Sequence, residues 1–226
     1  MAILHSDSFN GMSLDDPLWS SRNLDNALGG SGTLAWASFS GAYIGSDGSG
    51  RVYNRGTGYL ALCDLGASAD RLCRVRVRFS AAGSLSVLGR TTAADGSNYT
   101  GVRAVIGSSS DSMTTLKIQT VDSGGAGTDQ ASATVSALSL NTDYWLALIV
   151  SGSVATAKLY AADGTSTVGT QLGATPPYTL GPPLTGAYWG LRYLADGDNT
   201  SKYDDWIEED VAAPPAAIKK ARVVWF

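Results

Sequence analysis

The stretch Leu72-Cys-Arg-Val-Arg-Val-Arg-Phe79 alternates apolar and charged residues without a break. Successive side chains of a β-strand point to opposite faces of the sheet, so this alternation predicts a half-buried strand. One face carries Cys73, Val75, Val77 and Phe79, and the other carries Arg74, Arg76 and Arg78. The stretch therefore predicts a β-sheet with one face on a core and the other face charged.

The rest of the chain has the same β-rich character. Residues 143–160 contain Tyr-Trp-Leu-Ala-Leu-Ile-Val and Val-Ala-Thr-Ala-Lys-Leu-Tyr joined by Ser-Gly-Ser, which predicts a hairpin. Further β-rich runs bounded by Gly, Asp, Asn or Ser cover residues 84–89, 99–106, 114–121, 130–135 and 187–193. Helical periodicity extends no further than a single turn at residues 13–18. The sequence predicts an all-β sandwich or barrel with very little helix.

Composition and charge limit the classes of function. The 226 residues include 27 Gly and 16% charged residues, which favours tight turns over amphipathic helices. A formal net charge of −4 argues against nucleic acid as a partner, since phosphate contacts need a basic surface. The amino terminus does not resemble a signal peptide, and no run approaches the roughly 20 apolar residues of a membrane span. We expect synthesis in the host cytoplasm without a signal peptide and no membrane partner.

Two cysteines, Cys63 and Cys73, are too few for a disulfide framework or a structural zinc site. We expect two buried thiols. The alternative is a disulfide, because a hairpin loop at residues 66–70 would place the two sulfur atoms opposite each other across a ladder. A reducing site of synthesis disfavours that bond.

Pro214-Pro215 divides the chain into a predicted domain, residues 1–211, and a linker with a docking tail, residues 212–226. The tail combines basic residues with four consecutive apolar residues at its end. Its candidate partner-binding residues are Ile218, Lys219, Lys220, Arg222, Val223, Val224, Trp225 and Phe226. An exposed apolar end of this kind would be adhesive. The tail either adds a strand to its own sandwich or docks onto another chain.

Weak motifs in a fixed order carry a resemblance to a known fold family. They are Asp7-Ser-Phe9-Asn, Leu18-Trp19, Asn98-Tyr99, residues 144–150, Lys158-Leu-Tyr160, and Gly190-Leu-Arg-Tyr193 leading to Tyr203-Asp-Asp-Trp206. Their order and spacing resemble the concanavalin A-like lectin/glucanase and laminin G-like jelly rolls. The resemblance implies an antiparallel two-sheet jelly-roll sandwich, with its first and last strands adjacent and Phe9 and Trp206 in one core. Members of the family usually have an apolar residue two positions after the aromatic residue of the last strand, where this chain has Glu208. We therefore expect the last strand to end or turn outward at Ile207.

The sequence offers no catalytic constellation. Glucanases of the family use Glu-x-Asp-x-Glu on one strand to flank a glycosidic bond, and no such run occurs here. The acidic cluster Glu208-Glu209-Asp210 is typical of a solvated strand end, and His5 is expected to be structural or on the surface. Asp196-Gly-Asp198-Asn199 resembles part of a calcium loop without its downstream glutamate, which favours a polar turn. We predict no enzymatic activity, no cofactor and no bound metal.

Besides the tail, two further sets of residues are candidates for binding. Exposed aromatic rings stack on the apolar faces of sugars, so the candidate glycan contacts are Trp36, Tyr99, Trp189 and Tyr193, with burial in the core as the alternative. Three like charges on one strand face repel each other unless acidic groups lie opposite. Arg74, Arg76 and Arg78 therefore either form ion pairs within the domain or bind a neighbouring subunit.

These features lead to three hypotheses of function. The first is a non-catalytic structural protein of a bacteriophage particle, a head decoration or tail-associated component located in the virion. Its predicted partners are other virion subunits or further copies of itself, with cell-surface polysaccharide as an additional ligand. This hypothesis rests on analogy with phage surface proteins of this fold. The alternative is a carbohydrate-binding lectin-like module, and the least favoured is a glycoside hydrolase.

Overall fold

The described part of the chain forms two antiparallel β-sheets. The computed structural model describes residues 3–10, 12, 22–38, 44–46, 48–54, 59–66, 70–92, 99–107, 113–123, 126–163, 168–181, 184–193 and 201–211. With strands numbered in chain order, sheet 1 contains β1 Ile3–Asp7, β3 Ile44–Ser46, β4 Val52–Asn54, β6 Arg71–Arg78, β11 Asp143–Ser151, β12 Val154–Ala162, β13 Val168–Ala174, β14 Tyr178–Thr179 and β16 Lys202–Asp210. Sheet 2 contains β2 Ala37–Ser38, β5 Tyr59–Asp64, β7 Leu85–Thr91, β8 Gly101–Ile106, β9 Thr115–Val121, β10 Gly127–Thr134 and β15 Tyr188–Tyr193. Within these ranges there is no helix, and so none of a length and apolarity that would cross a membrane.

The strand order places the two ends of the fold side by side. Sheet 1 has the order β13-β12-β11-β6-β16-β4-β3, with β1 paired to β16 and β14 paired to β12. Sheet 2 has the order β10-β9-β8-β7-β15-β5-β2. Asp7 of β1 lies opposite Trp206 of β16, so the predicted adjacency of the first and last strands is confirmed.

The strand predictions are confirmed where the pattern is strongest. In β6, Cys73, Val75 and Val77 are fully buried, as the alternation requires. The predicted hairpin is the pair β11–β12, whose turn contains Gly152 at a φ of 56°, a conformation that glycine adopts without steric cost. The five further runs correspond to β7, β8, β9, β10 and β15. The helical turn expected at residues 13–18 lies outside the described residues.

A stack of aromatic rings fills one end of the core. Trp36 lies between Phe9 and Trp206, with ring centroids 5.9 Å and 5.3 Å away, and the second pair meets edge to face. All three side chains are fully buried. Such pairs contribute about 0.5–1.5 kcal/mol beyond the burial of their area. The shared core implied for Phe9 and Trp206 is confirmed, with Trp36 as the ring that joins them.

A β-bulge explains how both aromatic residues of β16 reach the core. Tyr203 pairs with Val77 and Trp206 pairs with Val75, although residues three apart on a regular strand face opposite sides. The register shifts between Asp204 and Trp206, and Asp205 takes a φ of 42°. The extra residue restores the inward direction for Trp206.

Tyr203 also joins the two sheets through its hydroxyl group. Its Oη accepts a hydrogen bond from Ser86 N at 2.7 Å and donates one to Arg192 O at 2.7 Å, both on sheet 2. Burial raises the pKa of this phenol well above its usual range. The hydroxyl therefore keeps its proton and fixes the spacing between β16 and the centre of sheet 2.

The expectation that the last strand ends or turns outward at Ile207 is wrong. Strand β16 continues to Asp210, and Glu208 is 1% exposed. Its carboxylate lies 2.6 Å from His5 Nδ1 and 2.5 Å from Arg71 Nε. These two partners allow a carboxylate to occupy a buried position, because a buried charge needs a compensating one. Glu208 and Glu209 are buried rather than a solvated strand end, and His5 has a structural role.

The hairpin on which the disulfide alternative depended is absent. Cys63 lies on β5 of sheet 2, whereas Cys73 lies on β6 of sheet 1, so the chain crosses between the sheets at this point. Both thiols are free and fully buried, which confirms the expectation of two buried thiols. Burial raises the pKa of each thiol well above its usual value, which lowers the reactivity of both.

Candidate functional site

The outer face of sheet 1 carries the arginine stripe, and each of its guanidinium groups has an acidic partner within the chain. Arg78 Nε donates to Asp143 Oδ1 at 2.6 Å, and this hydrogen bond raises the pKa of Arg78. Two further contacts are Arg76 Nη2 to Asp205 Oδ2 at 2.9 Å and Arg74 Nη2 to Glu209 Oε1 at 3.2 Å. Ion pairing within the domain, one of the two alternatives for the stripe, is confirmed. The contact with a neighbouring subunit stays a prediction, and internal pairing removes the electrostatic reason for it.

The outer face of sheet 2 has a different character. Four apolar side chains on this face pack into a group separate from the main core, with Tyr188 against its edge; we name it the Tyr99 cluster, and its members are Leu62, Leu88, Tyr99 and Val121. Tyr99 is 1% exposed, and the Arg192 guanidinium carbon lies 5.3 Å from the centroid of its ring. The geometry is that of a cation–π contact.

A line of hydrogen-bonded polar side chains crosses β8, β9 and β10 beside this cluster. Arg103 Nε donates to Gln119 Oε1 at 2.6 Å, and Gln119 Nε2 donates to Asp129 Oδ1 at 2.5 Å. Lys117 Nζ lies 2.8 Å from the other carboxylate oxygen of Asp129. We name these four residues the Arg103 chain. The register puts Arg103, Gln119 and Asp129 directly opposite one another on adjacent strands, so the line follows from the ladder itself.

The Arg103 chain runs from a buried end to an exposed end. Arg103 is 5% exposed, whereas half of the Asp129 side chain is accessible to solvent. Burial lowers the pKa of Arg103 to about 10, so the guanidinium is still charged at neutral pH. Burial also acts to raise the pKa of Asp129, but hydrogen bonds from Lys117 and Gln119 outweigh it and the pKa lies below its usual value. The exposed end therefore presents a carboxylate and an ammonium group held in fixed positions.

Two polar atoms on this face have no hydrogen-bond partner within the described part of the chain. They are Tyr99 Oη and Arg103 Nη1, and both atoms are buried. A buried donor without a partner costs about 1–3 kcal/mol, so such positions in folded proteins call for a water molecule or a ligand. Such atoms also occur on sheet 1, where Arg74 Nε, Arg76 Nε and Glu209 Oε2 are buried without a hydrogen-bond partner in the described part of the chain.

Gly127 provides the space that the Arg103 chain occupies. A methyl group at this position would lie 2.1 Å from Arg103 Nη2 and 2.6 Å from Gln119 Oε1. Both atoms are at the ends of flexible side chains, so a larger residue would displace them rather than the backbone. Gly127, at the start of β10, therefore leaves room for the Arg103 chain, but the fold does not require a glycine there.

The four predicted glycan contacts fall in different places. Tyr99 lies on the outer face of sheet 2, beside the Arg103 chain. Trp36 and Trp189 are 0% exposed and belong to the main core, so neither has an open ring face, which corrects the expectation for both. Tyr193 is the last residue of β15, and its side chain lies outside the described part of the structure. The tail residues 218–226 also lie outside it.

Sequence inspection for aromatic residues missed the polar members of this face. Arg103, Lys117 and Gln119 alternate with core residues such as Ile118 along their strands, and Asp129 lies on the exposed strand β10. That alternation was visible in the sequence, but the pairing of three strands that aligns them was not. Among the described residues no group of His, Cys, Asp or Glu side chains has the geometry of a metal site. The possible calcium ligands Asp196 and Asp198 lie outside those residues.

The geometry of the sandwich agrees with that of known lectin domains. No family model and no curated protein matches the sequence. Among solved structures, the metal-free form and a Ca²⁺/Man-bound form of the VIP36 exoplasmic/lumenal domain align with TM-scores of 0.52 and 0.54. The second alignment has 14% identity and covers 94% of this chain and 92% of that one. The chain folds as a lectin-like jelly roll.

Two further alignments extend the lectin-like likeness to other organisms. A legume lectin-like domain from Entamoeba histolytica aligns with a TM-score of 0.51 and 9% identity, over 78% of this chain and 90% of that one. A Bacillus subtilis protein of unknown function with a galectin-like fold aligns with a TM-score of 0.53 and 11% identity, over 77% and 89%. At identities this low, the structural alignments establish the lectin-like fold alone. The site must therefore be argued from its own residues.

Proposed function

We propose that this chain is a non-catalytic, lectin-like module that binds carbohydrate on the outer face of sheet 2. The observation that carries the proposal is the Arg103 chain, in which a buried guanidinium fixes an amide, and the amide fixes a half-exposed carboxylate. Sugar hydroxyl groups both donate and accept hydrogen bonds. A carboxylate, an amide and an ammonium group in fixed positions offer the complementary partners.

The Tyr99 cluster supports the proposal by providing apolar surface next to these polar groups. Binding sites for small ligands combine apolar walls with a few placed polar groups, and pyranose rings have both an apolar face and a polar rim. Tyr188 lies at the edge of the cluster and is partly exposed. It is therefore a better candidate for direct ring contact than Tyr99, whose ring is buried beneath Arg192.

The carboxylate count of the same site supports a non-catalytic role. Glycoside hydrolysis uses two carboxyl groups about 5–10 Å apart on either side of the scissile bond. The Arg103 chain contains a single carboxylate, Asp129, and its pKa is lowered rather than raised. A general acid needs the opposite shift, so Asp129 is suited to accept hydrogen bonds from a bound sugar.

The test is binding of the full chain to a glycan array, followed by calorimetric titration of the strongest ligand. We expect Gln119→Ala to weaken binding by about tenfold, the loss typical of one hydrogen-bonding side chain in a fixed network. Gln130→Ala is the matched control, because Gln130 donates to Thr120 Oγ1 at 2.8 Å in the same strand pair but lies outside the Arg103 chain. Equal affinities for the two variants, or no glycan bound by the wild type, would refute the proposal.

A structural role in a phage particle stays a prediction from the sequence. It depends on docking through the tail, residues 218–226, to virion subunits or further copies of the chain. The measurement that decides it is assembly of the protein with and without residues 216–226. Unchanged association of the truncated protein would remove the tail from the mechanism and leave carbohydrate binding as the sole proposal.

A further inference from the structure

A cleft of about 290 Å³ opens at one end of the sandwich, and none of its described lining residues belongs to the Arg103 chain. Sheet 1 supplies Asp70 before β6, Gly152 in the β11–β12 turn and Leu180 after β14. Sheet 2 supplies Arg90 from β7 and Leu184 with Thr185 from the segment before β15. Because both sheets contribute, we name it the end cleft.

The backbone of β7 departs from regular geometry to direct Arg90 toward the end cleft. Arg90 has a φ of 50°, a conformation that costs energy for a residue with a side chain, and the register of β7 against β15 shifts beside it. Gly186 permits this path, since a methyl group there would lie 2.0 Å from Thr91 O and 2.4 Å from Arg90 O. Bulges of this kind commonly redirect a side chain toward a functional site.

Arg90 holds the opposite wall of the cleft in place. Its Nη1 donates to Gly152 O at 2.6 Å, and its Nη2 lies 3.3 Å from Asp70 Oδ1. Asp70 in turn accepts hydrogen bonds from Gly152 N at 2.7 Å and Ser151 Oγ at 3.0 Å. The guanidinium is buried, whereas 37% of the Asp70 side chain is exposed. The carboxylate thus faces the cleft in a fixed orientation, with its charge balanced from behind.

The rest of the lining is mostly apolar. Leu180 is 3% exposed and Leu184 is partly exposed, so together they give the cleft a wall that can pack against carbon atoms. Thr185 is exposed and adds a hydroxyl group at the rim. Gly152 and Gly181 have no side chains to fill the space between.

We propose that the end cleft binds one uncharged polyhydroxylated ring, such as a monosaccharide, with Asp70 Oδ2 accepting a hydrogen bond from one of its hydroxyl groups. The volume is at the lower limit for small-molecule sites, which suits a single ring rather than an oligosaccharide. Among the described lining residues, the pairing of Arg90 with Asp70 leaves no net charge, which favours a neutral ligand. Leu180 and Leu184 pack against the carbon face of the ring.

The test titrates the full chain with glucose, mannose, galactose and glucosamine while its amide signals are recorded by NMR. We expect at least one neutral sugar to bind with a millimolar Kd, the weak affinity typical of a single small ring with few anchoring groups. The shifted signals should include Gly152, Ser153 and Gly181. Leu184→Trp should fill the cleft and weaken binding by about tenfold or more, while Leu140→Trp, at an exposed position outside the cleft, should leave it unchanged.

A second variant tests the role of Asp70. Asp70→Asn retains an acceptor for Gly152 N but weakens the acceptor toward sugar hydroxyl groups, so we expect a several-fold loss of affinity. If this variant does not fold, Leu184→Trp still decides the proposal. The proposal is overturned if no neutral sugar binds, if Leu184→Trp binds as well as the wild type, or if glucosamine binds more tightly than glucose.

The result is separable from that of the carbohydrate site on sheet 2. Gln119→Ala should leave monosaccharide binding in the end cleft unchanged, because Gln119 is not among the described residues that line it. Loss of monosaccharide binding in Gln119→Ala would assign the ligand to sheet 2 and overturn the end cleft as its site.

Discussion

The outer faces of the two sheets use arginine in different ways. On sheet 1, Arg74 and Arg78 pair with Glu209 and Asp143, so each positive charge is balanced within its own sheet. On sheet 2, Arg103 donates to the neutral amide of Gln119, and the carboxylate of Asp129 is one residue further along the chain of hydrogen bonds. The first arrangement holds strands together, whereas the second directs a buried charge toward an exposed group. We propose the second arrangement as the one that a ligand contacts.

The largest expected effect is a loss of stability on sheet 1. Glu209→Ala leaves Arg74, which is 16% exposed, without its carboxylate, and we expect a loss of about 3 kcal/mol in the free energy of unfolding. Asp129→Ala on sheet 2, at a half-exposed position, should cost less than about 1 kcal/mol. Urea denaturation of both variants makes the comparison. Similar losses of unfolding free energy in the two variants would show that the charged pairs on sheet 1 do not stabilise the fold more than those on sheet 2.

The second prediction concerns Asp205 on sheet 1, whose pKa is raised to about 6 by burial and by the neighbouring charge of Asp204. Its pKa in the unfolded chain is lower, so the folded state holds the proton more tightly and loses stability as pH rises from about 4 to about 6. Asp205→Asn removes this loss and keeps a residue that tolerates the positive φ. Between pH 4 and pH 7 we expect the variant to gain about 2 kcal/mol relative to the wild type. Parallel pH dependences of the unfolding free energy would contradict the pKa assignment.

The third prediction sharpens the description of sheet 2. Gly127→Ala should displace the ends of Arg103 and Gln119 and weaken glycan binding by about tenfold, equivalent to about 1.4 kcal/mol. The unfolding free energy should change by less than this, because no backbone atom lies in the way. Gly152→Ala is a poor control, since Gly152 has a positive φ; Ser132→Ala, at an exposed position of the same strand, is suitable. Calorimetric titration of both variants with the same glycan gives the ratio of their dissociation constants.

The smallest effect is expected at the exposed end of the arginine stripe. Arg78 is 31% exposed, and its pair with Asp143 is therefore screened by water. Arg78→Gln should lower the unfolding free energy by no more than about 1 kcal/mol, and the loss should shrink in high salt. A loss as large as that of Glu209→Ala would show that the contribution of an ion pair on this face to stability does not depend on its exposure.

Much of the fold was predictable from the sequence because it follows from local pattern. The alternation around Val75 and the glycine turn between β11 and β12 each involve neighbours in the chain. The burial of Glu208 was not predictable, since its partner His5 is 203 positions away. Nor was the bulge at Asp205, because a strand with one extra residue has the same composition as a regular one.

The candidate site was less predictable than the fold for the same reason. Trp36, Tyr99 and Trp189 have similar sequence surroundings, and only the assembled sheets place the first and third inside the core. The gap between Cys63 and Cys73 is compatible with a hairpin or with a crossing between sheets. Pattern identifies which residues share a strand face, but the pairing of distant strands decides what that face meets.

The position of β16 between β6 and β1 has a consequence for how the protein is made. Sheet 1 lacks the strand that joins β6 to β1 and β4 until residues 202–210 have been synthesised, whereas β1 is made long before them. The early segments must therefore wait in an incomplete state, and their pairing has a large sequence separation, which is typical of folding in milliseconds to seconds. We expect β1 to remain accessible to proteases on nascent chains until β16 is available.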